Sequence, residues 1–290
     1  MAEIKVTAKL IPTPRKPANI YRLSRPNVSE RNLRALARQF GMRPDAKSGR
    51  FSSDAKRITY AEQHLELTID RVSGGLRFID RSRWQIDDRK SDLRIEDAAA
   101  RRFATNVIKK YKLAGTAEMR FLKASRLRVG VATRDGKQAS ERTIDVAIAM
   151  QRMVDKIPVD GPGGKIIVYL DHDGNLTGLE KIWREIGGVH RRSQAHRPPQ
   201  NAIEEMVAHF KTKQGIIEVQ DVRYGYFEDG WHTDQRYLQP AYIIFGMLGS
   251  SDGSSRKRTI YVAPALVNPV GRITPPLKKR LPQKPRPGAR

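Results

Sequence analysis

The feature that most limits the fold of this chain is a repeated change in the spacing of its apolar residues. Three stretches carry apolar side chains at intervals of three or four, the spacing of a helix with one buried face. They run over Leu33–Phe40, Ala99–Tyr111 and Ile203–Phe210. After each stretch the spacing changes to two, as in a strand with one face on a core. The sequence therefore predicts three helices, each followed by strands.

The ends of the helices and the turns between strands also have local signals. Ser29 or Asn27 is the expected N-cap of the first helix, and Gly41 its stop. Asn201 and Glu204 have the spacing of a capping box for the third helix. Glycine-containing turns typical of tight antiparallel hairpins follow the strand patterns, at Ser73-Gly74-Gly75, Asp135-Gly136, Asp173-Gly174, Asp229-Gly230 and Asp252-Gly253.

The predicted fold class is α+β, with repeated units of one helix packed on a curled antiparallel sheet, because this arrangement buries both apolar faces. Prolines, glycines and cations divide the chain further. The expected segments are a basic arm at 1–18, units at 19–92, 93–186 and 200–267, a linker at 187–199, and a basic Pro-rich tail at 268–290.

The second predicted unit resembles a known group of domains. Gln151 ends a strand and is followed by the corner Lys156-Ile157-Pro158-Val159-Asp160-Gly161, and Asp173-Gly174 then turns a hairpin. This segment resembles the PepSY and fungalysin/thermolysin-propeptide (FTP) domains, with Lys156 at the position of their first glycine. The resemblance implies a cystatin-like module that inhibits or chaperones a protease, or a sensory or scaffolding module. It also implies that Pro158 and Gly161 shape the corner.

Charge is the unusual part of the composition. The net charge is +24, and half of it lies at the two ends: residues 1–26 hold six cations against Glu3, and residues 272–290 hold seven cations and no acid. Such a charge attracts polyanions, including nucleic acid and acidic protein surfaces. The middle of the chain is basic only to a moderate degree.

Several classes of site and location are not expected. The chain has no cysteine, which excludes disulfides, thiolate zinc sites and cysteine nucleophiles. The histidines lack metal-ligand spacing, and we expect neither a metal nor a cofactor. The first residues lack the apolar core of a signal peptide, and no stretch approaches the length of a membrane span. The sequence therefore predicts a soluble cytoplasmic protein.

Three short patterns could indicate chemistry, and each has a simpler interpretation. Residues 249–253 fit the G-x-S-x-G pattern of a serine hydrolase, but a strand rather than a helix is predicted after them. Residues 161–165 are rich in glycine and end in a lysine, but they also precede a strand, unlike a phosphate loop. Residues 171–175 offer oxygen ligands without the downstream glutamate of a calcium loop. We interpret the first and third patterns as hairpin turns, and we reject a phosphate loop for the second.

Two groups of residues remain as binding candidates. Cations on the predicted strand after residue 119 and in the tail could neutralise phosphates, or could form a solvated face. They are Arg120, Lys123, Arg126, Arg128, Lys278, Lys279, Arg280, Lys284 and Arg286. Aromatic residues between 224 and 245 could stack on a ligand, although such clusters more often form core.

The sequence thus predicts a non-catalytic protein-interaction module, in its most specific form an inhibitor or chaperone of a peptidase, or a scaffold component. The alternative is a protein that binds nucleic acid or another polyanion through its basic arms and surface cations. An unrecognised hydrolase is the third hypothesis. The expected partner is a protein, with nucleic acid or another polyanion as the second possibility.

The dependence of binding affinity on salt concentration distinguishes the first two hypotheses. Binding by phosphate neutralisation releases counterions and weakens steeply as salt rises. We expect any DNA binding to be weak, independent of sequence and lost when residues 268–290 are deleted. Fluorescence anisotropy of full-length and tailless protein with a mixed-sequence duplex at two salt concentrations measures this. Tight, salt-resistant binding by the tailless protein would make nucleic acid the primary partner.

Overall fold

The computed structural model describes residues 3–7, 11–84, 95–132, 139–210, 216–250, 255–271 and 273. Its three α-helices are α1 (Glu30–Gln39), α2 (Asp97–Lys110) and α3 (Pro199–His209). Its fifteen strands are β1 (Glu3–Val6), β2 (Ala18–Leu23), β3 (Gly49–Ser53), β4 (Arg57–Glu62), β5 (Leu65–Asp70), β6 (Leu76–Asp80), β7 (Met119–Ala132), β8 (Ala139–Val154), β9 (Ile157–Asp160), β10 (Lys165–Leu170), β11 (Leu176–Ile182), β12 (Ile186–Gln194), β13 (Ile216–Phe227), β14 (Tyr237–Gly249) and β15 (Arg256–Pro264). Within these residues, no helix has the length and apolar character needed to cross a membrane.

The chain folds into two compact units. The first comprises residues 1–18, 193–224 and 240–290, and the second comprises residues 19–192 and 225–239. Each unit has its own buried apolar residues.

The first unit packs α3 over a small group of strands. β1 pairs in parallel with β13, and β14 pairs with β15 in antiparallel register. Ile203 and Met206 of α3 are buried against Val219, Tyr242 and Ala263 of these strands. Burying such side chains contributes roughly 1.5–3 kcal/mol each.

The second unit is built on an antiparallel sheet with the strand order β3-β4-β5-β6-β11-β10-β8-β7. Period-two alternation places one row of apolar residues on the same face of successive strands. Opposite each other across the sheet lie Tyr60, Leu67, Phe78, Leu179, Val168, Ile148 and Ala124. These residues share one core with the buried faces of α1 and α2.

The predicted class of repeated helix-on-sheet units is wrong. Strands account for 50% and helices for 17% of the structure, and the pairing is mixed, because β1 and β9 each lie parallel to β13. Two of the predicted units also merge. Phe78 of β6 pairs directly with Leu179 of β11, so α1 and α2 cover one sheet and share one core instead of each packing on its own sheet.

The local predictions are mostly confirmed. All three helices form, and the Ser29 side chain caps α1 by accepting a hydrogen bond from the Asn32 amide at 3.2 Å. Gly41 follows α1 with a φ of 77°. The predicted capping box of α3 is wrong: Pro198 is the N-cap and Pro199 opens the helix, where its missing amide proton costs no hydrogen bond.

The turn between β8 and β9 contains two non-glycine residues in the left-handed region. Asp155 and Lys156 have φ of 52° and 64°, and they connect the paired Val154 and Ile157. A two-residue hairpin turn with positive φ at both positions favours glycine at the second. Lys156 is exposed, so its side chain does not offset the strain by packing.

We therefore expect Lys156→Gly to stabilise the protein by about 0.5–1 kcal/mol, since relief of roughly 1–2 kcal/mol of left-handed strain exceeds the added entropy of the unfolded chain. Urea unfolding measures the change. Lys47→Gly is the matched control, because Lys47 is also exposed in a turn but lacks a positive φ. Equal or opposite effects of the two changes would contradict this explanation.

Candidate binding edge

β7 is an edge strand of the second unit. Its fourteen residues pair with β8 from Met119↔Arg152 to Ala132↔Ala139, and no other strand among the described residues pairs with them. The outer side of β7 therefore presents a row of backbone N–H and C=O groups without a strand partner. Such a row is a template for another extended segment.

The two faces of β7 differ. Phe121 and Ala124 lie opposite Met150 and Ile148 and pack against the core. The register shifts between Phe121 and Lys123, so that Leu122 has no partner on β8. Leu122 is 37% exposed and Leu127 is 42% exposed. A bulge at an edge re-aims side chains and limits indiscriminate strand pairing.

The four cations predicted on this strand all lie on β7, and three of them have intramolecular partners. Arg120 donates to Gln151 Oε1 from Nε at 3.0 Å and from Nη2 at 2.8 Å. Arg126 Nη1 lies 2.8 Å from Asp97 Oδ1, and Arg128 Nη1 lies 3.5 Å from Glu141 Oε2.

Lys123 differs from the three arginines, because its exposed amino group has no hydrogen bond or ion pair to a described residue. The ion pairs of Arg126 and Arg128 are also exposed, and such pairs contribute about 0–1 kcal/mol. Their carboxylates can therefore be exchanged for those of a ligand at small cost.

Gln151 was not predicted as a binding or positioning residue, and it connects three strands. Its side chain is 2% exposed. Besides accepting from Arg120, it donates from Nε2 to the Val159 carbonyl oxygen at 2.9 Å. The glutamine in the PepSY/FTP-like segment was the available signal. Its hydrogen bonds fix the Arg120 side chain near one end of β7.

Pro158 lies within β9, and Gly161 directly follows β9 at the corner that leads to β10. Pro158 pairs with Met153 of β8. Gly161 has a φ of 107°, and a Cβ placed on it would lie 2.5 Å from the Glu228 carbonyl oxygen. The corner thus requires glycine for backbone reasons. The tail candidates Lys278, Lys279, Arg280, Lys284 and Arg286 lie outside the described residues.

The corner leads to a buried ionic cluster that sequence reasoning missed. Glu228 is fully buried and accepts from the Arg184 amide at 2.8 Å. Its carboxylate also faces the guanidinium groups of Arg184 at 3.4 Å and Arg152 at 3.5 Å. Burial raises the pKa of the Glu228 carboxyl, and the Arg184 amide and both guanidinium groups oppose this shift. No spacing in the sequence links these three residues.

One cluster has the residue types of a serine hydrolase but not the geometry. Ser73 Oγ donates to Asp70 Oδ1 at 2.7 Å, and His232 Nδ1 pairs with the other oxygen of the same carboxylate. A nucleophilic serine instead donates to the histidine, which takes up its proton. Here both groups contact the aspartate, so the histidine does not activate the serine.

The other patterns with possible chemistry have these outcomes. Asp171 Oδ1 accepts from the Asp173 amide at 3.0 Å and the Asn175 amide at 2.9 Å, which confirms the turn between β10 and β11. Lys165 opens β10, which confirms that the glycine-rich run precedes a strand. Within the G-x-S-x-G pattern, residues 251–253 lie outside the described part of the chain.

The comparisons with known proteins concern the fold only. No family model and no curated protein matches the chain. A similar solved structure is the crystal structure of an uncharacterized protein from Eubacterium rectale ATCC 33656, with a TM-score of 0.55 and 10% sequence identity. The match covers 94% of this chain and 91% of that one. The likeness therefore extends over nearly the whole architecture.

Substitutions of Gly41, which follows α1, and Gly161, at the corner, distinguish the cost of a positive φ from the cost of a steric clash. Gly41→Ala adds a Cβ that meets nothing within 4 Å, so we expect only the cost of positive φ, about 1 kcal/mol. Gly161→Ala adds the clash with the Glu228 carbonyl oxygen, and we expect a total loss of roughly 3 kcal/mol. Thermal or urea unfolding compares the two variants. Equal losses would show that the corner is not sterically constrained.

Proposed function

We propose that the chain is a non-catalytic binding protein that captures an extended acidic segment of a protein partner along the open edge of β7. The observation that carries this proposal is the combination on one strand of unpaired backbone groups, exposed leucines and cations. Strand addition to an edge derives affinity from main-chain hydrogen bonds and specificity from alternate side chains.

Charge selects an acidic segment. Arg120, Lys123, Arg126 and Arg128 line β7, and the cations Arg101, Arg102, Lys109 and Lys110 lie on the neighbouring helix α2. The guanidinium group of Arg101 lies over the ring of Phe121, 5.0 Å from its centroid, which holds one of these charges beside the edge. Charge complementarity of this kind raises the association rate and fixes the register of binding.

The apolar side chains of this edge favour a peptide over nucleic acid. Leu122 and Leu127 are exposed, and such side chains suit a peptide better than a phosphate backbone. Inhibition or chaperoning of a peptidase is the specific form of the proposal that the PepSY/FTP resemblance favours.

The test is a selection of phage-displayed random dodecapeptides on the full chain, with counter-selection on Lys123→Glu. We expect enrichment of peptides with acidic residues at alternate positions. Lys123→Glu should weaken their binding about tenfold, because it replaces an attraction with a repulsion of similar size. Lys47→Glu, which changes an exposed lysine in a turn away from β7, should bind as the unmodified protein does.

Amide hydrogen exchange then identifies the mode of binding. A selected peptide that adds to the edge must slow exchange in residues 120–128, because strand addition protects backbone amides. Peptides that bind Lys123→Glu equally well, or that leave exchange in β7 unchanged, would refute the proposal. Selective binding of a DNA duplex that depends on Lys123 would favour the polyanion alternative.

A further inference from the structure

A second concave surface of the second unit, separate from β7, is strongly basic. It is a cleft of about 580 Å³, which is within the size range of small-molecule sites. We call it the basic cleft and define it by the side chains that carry its chemistry: Arg22, Ser24, Arg25, Arg184, Asp234 and Arg236. Four arginines thus face one aspartate.

The three arginines at the rim are available to a ligand. Arg22 and Arg25 are exposed, and their guanidinium groups have no hydrogen bond or ion pair to any described residue. Arg236 has only a distant pair, with 3.7 Å between its Nε and Asp234 Oδ2. The rim therefore offers three charged donor groups with little internal competition.

Arg184 differs from the rim arginines, because it is 4% exposed and fixed in place. Its Nη1 donates to the Asp229 carbonyl at 2.7 Å, and its Nη2 donates to the Gly230 and Thr233 carbonyls at 2.9 and 2.8 Å. Its Nε is buried and has no acceptor among the described residues. Buried donors without acceptors are rare in native proteins.

Carboxylates near the two buried arginines limit the excess charge beside the cleft. Arg152 and Arg184 are both buried and share the carboxylate of Glu228, and the Asp229 and Glu118 carboxylates also interact with Arg184 and Arg152, respectively. The positive charge that the basic cleft offers to an anion therefore comes mainly from its exposed arginines, Arg22, Arg25 and Arg236.

We propose that the basic cleft binds a small ligand that carries two or more phosphate groups. The exposed arginines come from two separate chain segments, at residues 22–25 and 236, and Arg184 lines the cleft from a third, so positive charge surrounds an anion from several directions. A tetrahedral phosphate with three terminal oxygens accepts from several directions, whereas a planar carboxylate offers two oxygens in one plane. The number of arginines suits more than one such group.

The cleft also has an apolar side that suits the organic part of such a ligand. Leu23 is buried at the cleft, and Pro26, Val72 and Tyr237 are half-buried along it. Small-molecule sites combine apolar walls with a few placed polar groups.

Isothermal titration of the full chain with pyrophosphate at constant ionic strength tests the proposal. We expect saturable binding that Arg25→Gln and Arg236→Gln each weaken about tenfold, the usual effect of losing one charge-assisted hydrogen bond. Arg31→Gln is the matched control, because Arg31 is an exposed arginine on α1 outside the cleft. Its affinity for pyrophosphate should stay within about twofold of the unmodified protein.

Other results of the titration would contradict the proposal. No saturable binding at millimolar pyrophosphate, or equal losses in all three variants, would overturn the proposal, since binding would then be absent or spread over the basic surface. Citrate serves as a polycarboxylate of similar charge, and tighter binding of citrate than of pyrophosphate would overturn the assignment to phosphate. Melting temperatures of the variants in the absence of ligand must match, because all three changes are on the surface.

Discussion

The arrangement of the second unit depends on the buried carboxylate of Glu228. Its side chain accepts from the Arg184 amide, and Arg152 donates to the carbonyl of Arg184 at 2.7 Å. The Glu228 backbone binds Asp160 and Gly163 at 2.9 Å each. One residue thus connects the corner after β9, the segment after β11 and the segment after β13. Removing one partner from such a cluster leaves an uncompensated buried charge, which costs about 3–5 kcal/mol.

The parts of the fold that the sequence predicts are those encoded by neighbouring residues. The stripe through Leu33 and Phe40 defines α1, and the Ser29 hydroxyl determines its start. The Asp173-Gly174 turn is local in the same sense. By contrast, period-two alternation specifies which face of a strand is buried but not which strand lies beside it. The pairing of Phe78 with Leu179 could not be read from either strand alone.

The candidate binding edge of β7 also combines features that the sequence shows with features that only the folded sheet creates. The cations of β7 are on one strand, and their spacing is visible in the sequence. The partners of those cations, Asp97 and Gln151 among them, come from α2 and β8, and only the folded sheet brings them close. No sequence pattern indicated the role of Arg184, because its hydrogen-bond partners are backbone carbonyls of residues 229–233. A carbonyl oxygen is supplied by every residue type and leaves no pattern.

Net charge alone cannot distinguish the two proposed sites, although both are basic. A charge of +24 brings anions toward the protein, but at physiological salt its field decays over about 8 Å. Selection therefore depends on groups within contact distance. The edge of β7 offers backbone donors and acceptors in a row, which only an extended chain can pair. The basic cleft offers converging guanidinium groups around a concave space, which a compact anion can fill and an extended strand cannot. The same excess of positive charge is thus present at both proposed sites, and the shape of the surface at each site determines which kind of ligand we propose for it.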